Sequence, residues 1–508
     1  MRLKNPAFRW PLILLVTQLI AVVLQNGYGH CDEHFQVLEF AGLKLGFTHA
    51  ELLPWEFGAR IRPWLQPWLY ANLWRVVQGV FRVENTLHLV FVARLVTALA
   101  AWAVTCWTTM TIANGMRSRL KRNTLWLLVC SYWFLPYLGA RTSSENLGAI
   151  FFYSALALFL SSKSLELSPR RALLLGVLGA LSFNARYQMA LMVGGLFAWL
   201  LTHGTKRLRT VACITAGLLI AETACLLIDW WGYGSWQWVP WSYFKVNVLE
   251  HKANDFGTSP WWTYFAESVM NDGIGGLLLM VSMLVFWVRR AEHVLTWCTA
   301  PFFAVHLLLA HKESRFLFPL VLAQLLMATL LIPDNVLFLC ARKWRAVSIR
   351  RVAVLLTGAI LITNAGALVL STLNVHSSQM TALNALWLHP DEPLYFFGTN
   401  PYQACSPLKM QTLEPPDKKL VAVSQLVSQA AYAPINKPES WGVIRHGWER
   451  LGADTGCQLE YHSTELVLDL EQLVGRELPS LRERWSSLEV YTIYRCQRTP
   501  VAVMKSAH

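Results

Sequence analysis

The sequence is poor in charge. Of its 508 residues only 15% are Asp, Glu, Lys or Arg, where a soluble globular protein carries about 25%. That is too little to cover the surface of a soluble protein of this length. Internal repeats are lacking, which sets aside collagen-like and coiled-coil classes. The ten cysteines form no CxxC pair and no metal-ligand spacing. Cys106, Cys130, Cys213, Cys225, Cys298 and Cys340 fall in or beside apolar runs, where they read as small hydrophobes. What the chain has instead is 54% hydrophobic residues and 24 Trp. That content excludes disorder and leaves a polytopic membrane protein.

A bilayer core takes about 20 apolar residues per helix. The first run covers Trp10 to Gly29, and no small-residue cleavage pattern follows it. An uncleaved first span is expected. Further runs begin near Leu87, Thr124, Asn146, Ala172, Tyr187, Val211, Ile274, Val294, Phe316 and Val352, about eleven spans in all. The pair across 172–202 is short and reads as two spans, one hairpin or a re-entrant element.

The net charge of +13 taken alone suggests a nucleic-acid partner, but sorted by loop it sets orientation. With the N-terminus cytoplasmic, every cytoplasmic segment is basic. These carry Arg2, Lys4 and Arg9; Arg117, Arg119, Lys121 and Arg122; Lys163, Arg170 and Arg171; Lys206, Arg207 and Arg209; Arg289 and Arg290; and Arg342, Lys343, Arg345, Arg350 and Arg351. The outer segments are then a long first loop (30–86), short turns near Arg141–Glu145 and Asn184–Arg186, a second large loop (229–273) and His311–Arg315. Residues 1–374 form the membrane module. Residues 375–508, with strand-like runs at Pro393–Gly398, Lys419–Val423 and Leu488–Tyr494, are expected to form a small outer α/β soluble domain. Cys405, Cys457 and Cys496 fall on this oxidising side, where one disulfide can form.

Polar groups concentrate at the outer face. His30-Cys31-Asp32-Glu33 follows the first span directly. An acidic pair at a membrane boundary suits a general base, since burial and a like-charged neighbour raise a carboxylate pKa. An acidic helix N-terminus would have the same composition. Asp32, Phe35, Gln36 and Glu39 recur at helical spacing and are expected on one face, which makes poor core material. The rest of the first loop interleaves Trp55, Glu56, Phe57, Trp64, Trp68, Tyr70 and Trp74 with Arg60, Arg62 and Arg75, an amphipathic interfacial pattern.

His311, Lys312 and Arg315 interrupt two apolar runs on the side where basic residues are otherwise scarce. Three cations there can clamp a phosphate, Arg through its bidentate fork, whereas ordinary snorkelling explains them only as anchors. Arg141 and Glu145 are four apart and read as a helix-surface ion pair or as site support. Arg186 is a lone cation at a tight hairpin. Arg94 and Glu222 are intramembrane charges, functional candidates by default.

The strings His30-Cys31-Asp32-Glu33-His34-Phe35-Gln36, Trp55-Glu56-Phe57, Arg141-Thr142-x-Ser144-Glu145 and above all His311-Lys312-Glu313-Ser314-Arg315-Phe316 through Pro319 resemble the family 22 glycosyltransferases. These are GT-C-fold mannosyltransferases that use dolichyl-phosphate mannose. The 229–272 loop, with Tyr233-Gly234-Ser235-Trp236, Tyr243 through Val248 and Tyr264-Phe265, looks most like the branch that adds the third mannose to the glycosylphosphatidylinositol (GPI) precursor. The likeness covers about residues 10–335. Cys31 stands where the family usually has Pro, and Ser314 where it often has Glu.

The resemblance implies an inverting transfer from a β-mannosyl phosphate to an α-linked product, with one general base and no covalent intermediate. Asp32 is then the base and Glu33 its partner. Lys312 and Arg315, with His311 and more weakly Arg186, hold the donor phosphate. His30, Gln36, Glu39, Trp55, Glu56, Arg141 and Glu145 support the site or the acceptor. No cofactor is required, and the scheme leaves room for a divalent ion at Asp32 and Glu33. The partners are a dolichyl or polyprenyl phosphate mannose and a lipid-linked glycan, with no nucleic acid. The site is lumenal in an endoplasmic-reticulum membrane, or periplasmic if the protein is bacterial and acts on another lipid-linked oligosaccharide. A transporter or flippase would share the spans but needs repeats and broken helices meeting at the midplane. A membrane sensor would explain the C-terminal segment but neither of the two charged strings.

Overall fold

The computed structural model describes residues 6–333 except 26, 163–166 and 205–207. Beyond 333 it describes short stretches between 358 and 413 and five strand segments. The expected span near Val352 and the last basic cluster lie mostly outside the described residues. The chain divides into two compact units. The first comprises Met1–Val22, Trp55–Asn72 and Ala93–Leu368; the second, Val23–Pro54, Leu73–Val92 and Val369–His508.

Helices dominate the described residues. In chain order they are α1 (Pro6–Leu24), α2 (Cys31–Glu33), α3 (Glu39–Leu43), α4 (Trp55–Ala59), α5 (Leu65–Phe81), α6 (Thr86–Asn114), α7 (Arg119–Ser131) and α8 (Phe134–Gly139). Then follow α9 (Ser144–Leu160), α10 (Pro169–Ala185), α11 (Ala190–His203), α12 (Leu208–Tyr233), α13 (Val239–Phe244), α14 (Thr263–Arg289), α15 (Val294–Leu308) and α16 (Leu320–Leu331). Three of these, α6, α12 and α14, are long and apolar enough to cross a membrane. The apolar helices of α1, α9, α15 and α16 are shorter. Leu219, Ile220, Leu277 and Leu278 stand well exposed on α12 and α14, as lipid-facing residues do.

Start signals are written into the sequence. Ser143 caps α9 by accepting from the Asn146 N–H, and Ser168 caps α10, with Pro169 at its first position. The His293 side chain caps α15, accepting from the Leu295 N–H. The main core of the first unit includes Phe152 and Leu156 of α9, Met283 and Phe286 of α14, Phe302 and Phe303 of α15, and Leu325 and Leu326 of α16. Tyr153 Oη reaches the Pro319 carbonyl (2.6 Å) and the Ala323 N–H (3.0 Å), so its buried hydroxyl is satisfied while it pins α9 to α16. Helices α10 and α12 approach backbone to backbone. A Cβ on Gly176 would come within 2.1 Å of the Ile214 carbonyl, and one on Gly217 within 2.0 Å of the Leu173 carbonyl. Helix α14 kinks at Gly273 (φ 59°, ψ −140°). Just before the kink, Asp272 accepts from Tyr132 Oη and Trp133 Nε1, both at 2.8 Å.

In the second unit a five-stranded sheet has the order β2-β1-β3-β5-β4, with β1 (Leu394–Phe397), β2 (Leu420–Val423), β3 (Glu439–Arg445), β4 (Cys457–His462) and β5 (Tyr491–Gln497). The β1 strand pairs in parallel with β2 and β3; β5 runs antiparallel to β3 and β4.

The second large loop is narrower than expected. Helix α12 continues to Tyr233 and α14 begins at Thr263, so Asp229 and Asp272 both lie inside helices. The reason is local satisfaction: the Asp229 carboxylate accepts from the Trp64 N–H at 2.7 Å, and Asp272 from the two aromatic donors.

Candidate functional site

The acidic string lies in the second unit. His30, extended, caps α2: its Nδ1 accepts from the Asp32 N–H at 3.2 Å and lies 3.7 Å from Asp32 Oδ1. The Asp32 side chain stays 23% exposed, whereas Glu33 is buried. Of the two acids, only Asp32 offers a carboxylate that a substrate can reach from outside. Cys31 is disulfide-bonded.

The expected single face of Asp32, Phe35, Gln36 and Glu39 does not form. Residues His34–Leu38 are a π-turn between α2 and α3. The wider turn breaks the i, i+3, i+4, i+7 register. Glu39 instead meets His34 Nε2 at 2.8 Å, and its carboxylate accepts from the Thr412 N–H (3.0 and 3.2 Å) and Oγ1 (2.8 Å). Gln36 is buried.

The basic string lies in the first unit. Helix α10 ends at Ala185, and Arg186 turns the chain in extended conformation before the short 3-10 turn Tyr187–Met189. Arg186 Nη2 lies 3.1 Å from Glu145 Oε1 in the first turn of α9, and its Nη1 donates to Ser144 Oγ at 3.2 Å. Arg315 reaches the same Glu145 oxygen at 3.9 Å. Its fork is engaged by Glu313, Nε to Oε2 at 2.5 Å and Nη2 to Oε1 at 3.0 Å. The Phe316 ring lies 5.3 Å from the Arg186 guanidinium and 5.4 Å from that of Arg315. His311 is held through Nδ1 by the Gly257 carbonyl (2.8 Å) and through Nε2 by Glu313 (2.9 Å). Lys312 is buried and donates to the carbonyls of Leu309 and Ser259. Burial pushes its ammonium down from the usual lysine range.

Arg141 and Glu145 are not a surface pair. Arg141 precedes α9 and is 1% exposed, its guanidinium 4.5 Å from the Tyr137 ring; Glu145 is equally buried. Glu56 is buried against Arg62 at 3.5 Å. Trp55 stays 39% exposed, stacked on Phe256. Within the bundle, Arg94 donates to the Val22 carbonyl and Glu222 accepts from Asn184.

The first unit thus gathers Arg186, Arg315, Glu145, Glu313 and Phe316 around one point, beside His311 and Lys312. Sequence reading named four of these seven as donor-phosphate residues and Glu145 as support, and passed over Glu313 and Phe316. The signal was there: an acid two residues from each of two cations, and an Arg-Phe dipeptide. Glu267, whose Oε2 accepts from Ser314 Oγ at 2.8 Å, had no signal, because it comes from the distant α14.

The chain is similar to several known proteins. Mannosyltransferase APTG1 of Arabidopsis thaliana is 25% identical over 325 residues, which is 61% of this chain and 56% of that protein. GPI alpha-1,2-mannosyltransferase 3 of Danio rerio is 29% identical over 325 residues, again 61% and 56%. Its Homo sapiens namesake is 23% identical over 304 residues, 57% and 51%. The chain spans about half the length of the curated relatives it matches. The crystal structure of ArnT from Cupriavidus metallidurans bound to undecaprenyl phosphate superposes with a TM-score of 0.53, at 12% identity and over 97% of this chain and 98% of that one. At that identity the likeness is one of fold, the GT-C membrane fold. The family model for Alg9-like mannosyltransferases matches residues 10–395, and the chain belongs to that family.

Proposed function

We propose that the protein is an inverting alpha-1,2-mannosyltransferase. It moves mannose from a dolichyl or polyprenyl phosphate to a lipid-linked glycan, most specifically the third mannose of the GPI precursor. The observation that carries this is the convergence of Arg186 and Arg315 on one buried Glu145 oxygen, with a buried Lys312 three residues before Arg315 in the same string. Two guanidinium groups held this close can share one phosphate, whose oxygens would take over donors now engaged by Glu145, Ser144 and Glu313. The same anion would favour the charged form that burial disfavours in Lys312. The solved neighbour's undecaprenyl phosphate belongs to the same chemical class as such a donor.

In the proposed reaction Asp32 takes the proton of the acceptor 2-hydroxyl. The oxygen attacks the anomeric carbon, the bond to the phosphate oxygen breaks, and the lipid phosphate leaves with the electron pair. The leaving group is already an anion, so stabilising its charge matters more than protonating it. Arg315, Lys312, His311 and Arg186 take that role. Glu33 orients Asp32, and Gln36, Trp55, Glu56 and Arg141 shape the acceptor side.

The proposal includes about eleven spans, an outer C-terminal domain and an active site on the non-cytosolic side. The disulfide at Cys31 supports that side, since disulfides persist in oxidising compartments. The deciding experiment supplies labelled dolichyl-phosphate mannose to membranes containing the chain, and identifies by mass the lipid that accumulates when the gene is deleted. Mannosylated lipid and a two-mannose GPI precursor are expected. Another accumulated glycan reassigns the acceptor; absence of transfer, as from a transporter or flippase, rejects the reading.

A further inference from the structure

The proposed base lies on α2, just before a π-turn whose far end, at Glu39, is bonded by a distant part of the chain. In an α-helix, residues five apart point about 140° away from each other. In a π-turn they stack, and here that brings His34 Nε2 to 2.8 Å from Glu39 Oε1. The Glu39 carboxylate is 2% exposed, and Thr412 feeds it both its N–H and its hydroxyl. The approach has been cleared for it: a Cβ on Gly42 would come within 2.1 Å of Thr412 Oγ1. The receiving turn is itself tied down. Trp387 Nε1 donates to the Leu413 carbonyl at 2.8 Å, the Met410 N–H donates to the Tyr402 carbonyl at 2.8 Å, and Thr412 and Leu413 are 0% exposed.

We propose that the Gln411–Leu413 turn is a clasp that positions the Asp32-bearing turn, with Glu39, His34 and Thr412 as positioning residues. A buried carboxylate that loses a donor must seek another, and the cheapest way is to unwind the π-turn. That would rotate α2, and with it Asp32. The clasp lies beyond the residues that match the family model, which end at 395. It gives the C-terminal segment a role in setting the base. This rests on the reading of Asp32 as base.

The test uses the full chain in lipid nanodiscs. It compares wild type, Thr412→Val, Thr412→Ser and Trp387→Phe for mannose transfer, melting temperature and amide hydrogen exchange over residues 31–43. Thr412→Val should lower kcat about tenfold while the KM of each lipid changes less than about twofold. Exchange over 31–38 should quicken, and Thr412→Ser should restore both. Trp387→Phe loosens the clasp from its far side and should show the same pattern if Thr412→Val fails to fold. Wild-type kcat and wild-type exchange in the variants would overturn the clasp. If wild type itself transfers no mannose, the enzymatic reading falls, and unchanged exchange then rejects the clasp separately.

Discussion

Arg186 and Glu145 meet at 3.1 Å, Nη2 to Oε1, with side chains only 7% and 2% exposed. Their charges come from different helices, the end of α10 and the first turn of α9. Both are removed from water, so each depends on the other. Breaking such a pair from one side typically costs about 3 kcal/mol or more, because a buried charge is stranded. Glu145→Ala should therefore lower the melting temperature sharply. The double variant Glu145→Gln/Arg186→Gln should be hurt less than the two single changes added together. Additive losses in the melting series would mean that the pair does not act as a unit.

Asp32→Asn removes the proposed base while keeping size and the hydrogen-bonded start of α2. A positioned general base contributes about 100-fold or more. Turnover should fall by at least that much in a transfer assay with saturating donor, with little change in melting temperature. Near-normal turnover would strip Asp32 of the role.

Arg315→Lys keeps the charge and loses the fork. The pairing with Glu313 uses two nitrogens at once, which an ammonium cannot reproduce. The KM for the donor lipid should rise about tenfold, and Arg315→Ala should raise it further, while the acceptor KM stays near wild type. A donor KM unchanged in both variants would sink the phosphate assignment.

His293 should make the protein acid-sensitive. Its ring accepts the Leu295 N–H through Nδ1, so a proton there destroys the cap of α15. Burial, with Arg290 nearby, pushes the imidazole down from 6.5 to about 4. Between those values the unfolded chain binds the proton and the folded chain does not. This contribution is thus present above pH 6.5 and drains away as pH falls toward 4, by about 3 kcal/mol. His293→Asn supplies a capping oxygen that does not titrate. Its melting temperature should drop less than wild type between pH 6.5 and 4.5; parallel curves would place the acid sensitivity elsewhere.

Hydropathy made most of the helices legible. The apolar runs from Leu87 to Phe316 all fall in or at the start of helices, because burying a continuous apolar run needs no knowledge of its partners. Three strands were also readable, near 394, 420 and 491. The strands at Glu439–Arg445 and Cys457–His462 were not, since Glu439, Ser440, Gln458 and Glu460 break their apolar pattern. The charged strings pointed to the candidate site because lone charges in apolar surroundings stand out. Their partners did not show: the π-turn leaves no mark in composition, and Glu267 and Thr412 reach the strings from 47 and 373 residues away. Asp229, the first residue of an expected loop, became a helical carboxylate only once Trp64 was there to donate to it.

The close approach at Gly176 and Gly217 bears on how Arg186 can respond to a ligand. Where they cross, backbone lies against backbone with no side chain to absorb sliding, which stiffens the pair into a beam; nearer Arg186, side chains such as Asn184 and Glu222 meet between them. Arg186 sits one residue past the end of that beam. Its freedom therefore comes from its own torsions and from the 3-10 turn that follows. In the proposed reaction, recruiting it to an arriving anion would be a side-chain event, and a bulky residue at either glycine would trade that stillness for play at the guanidinium.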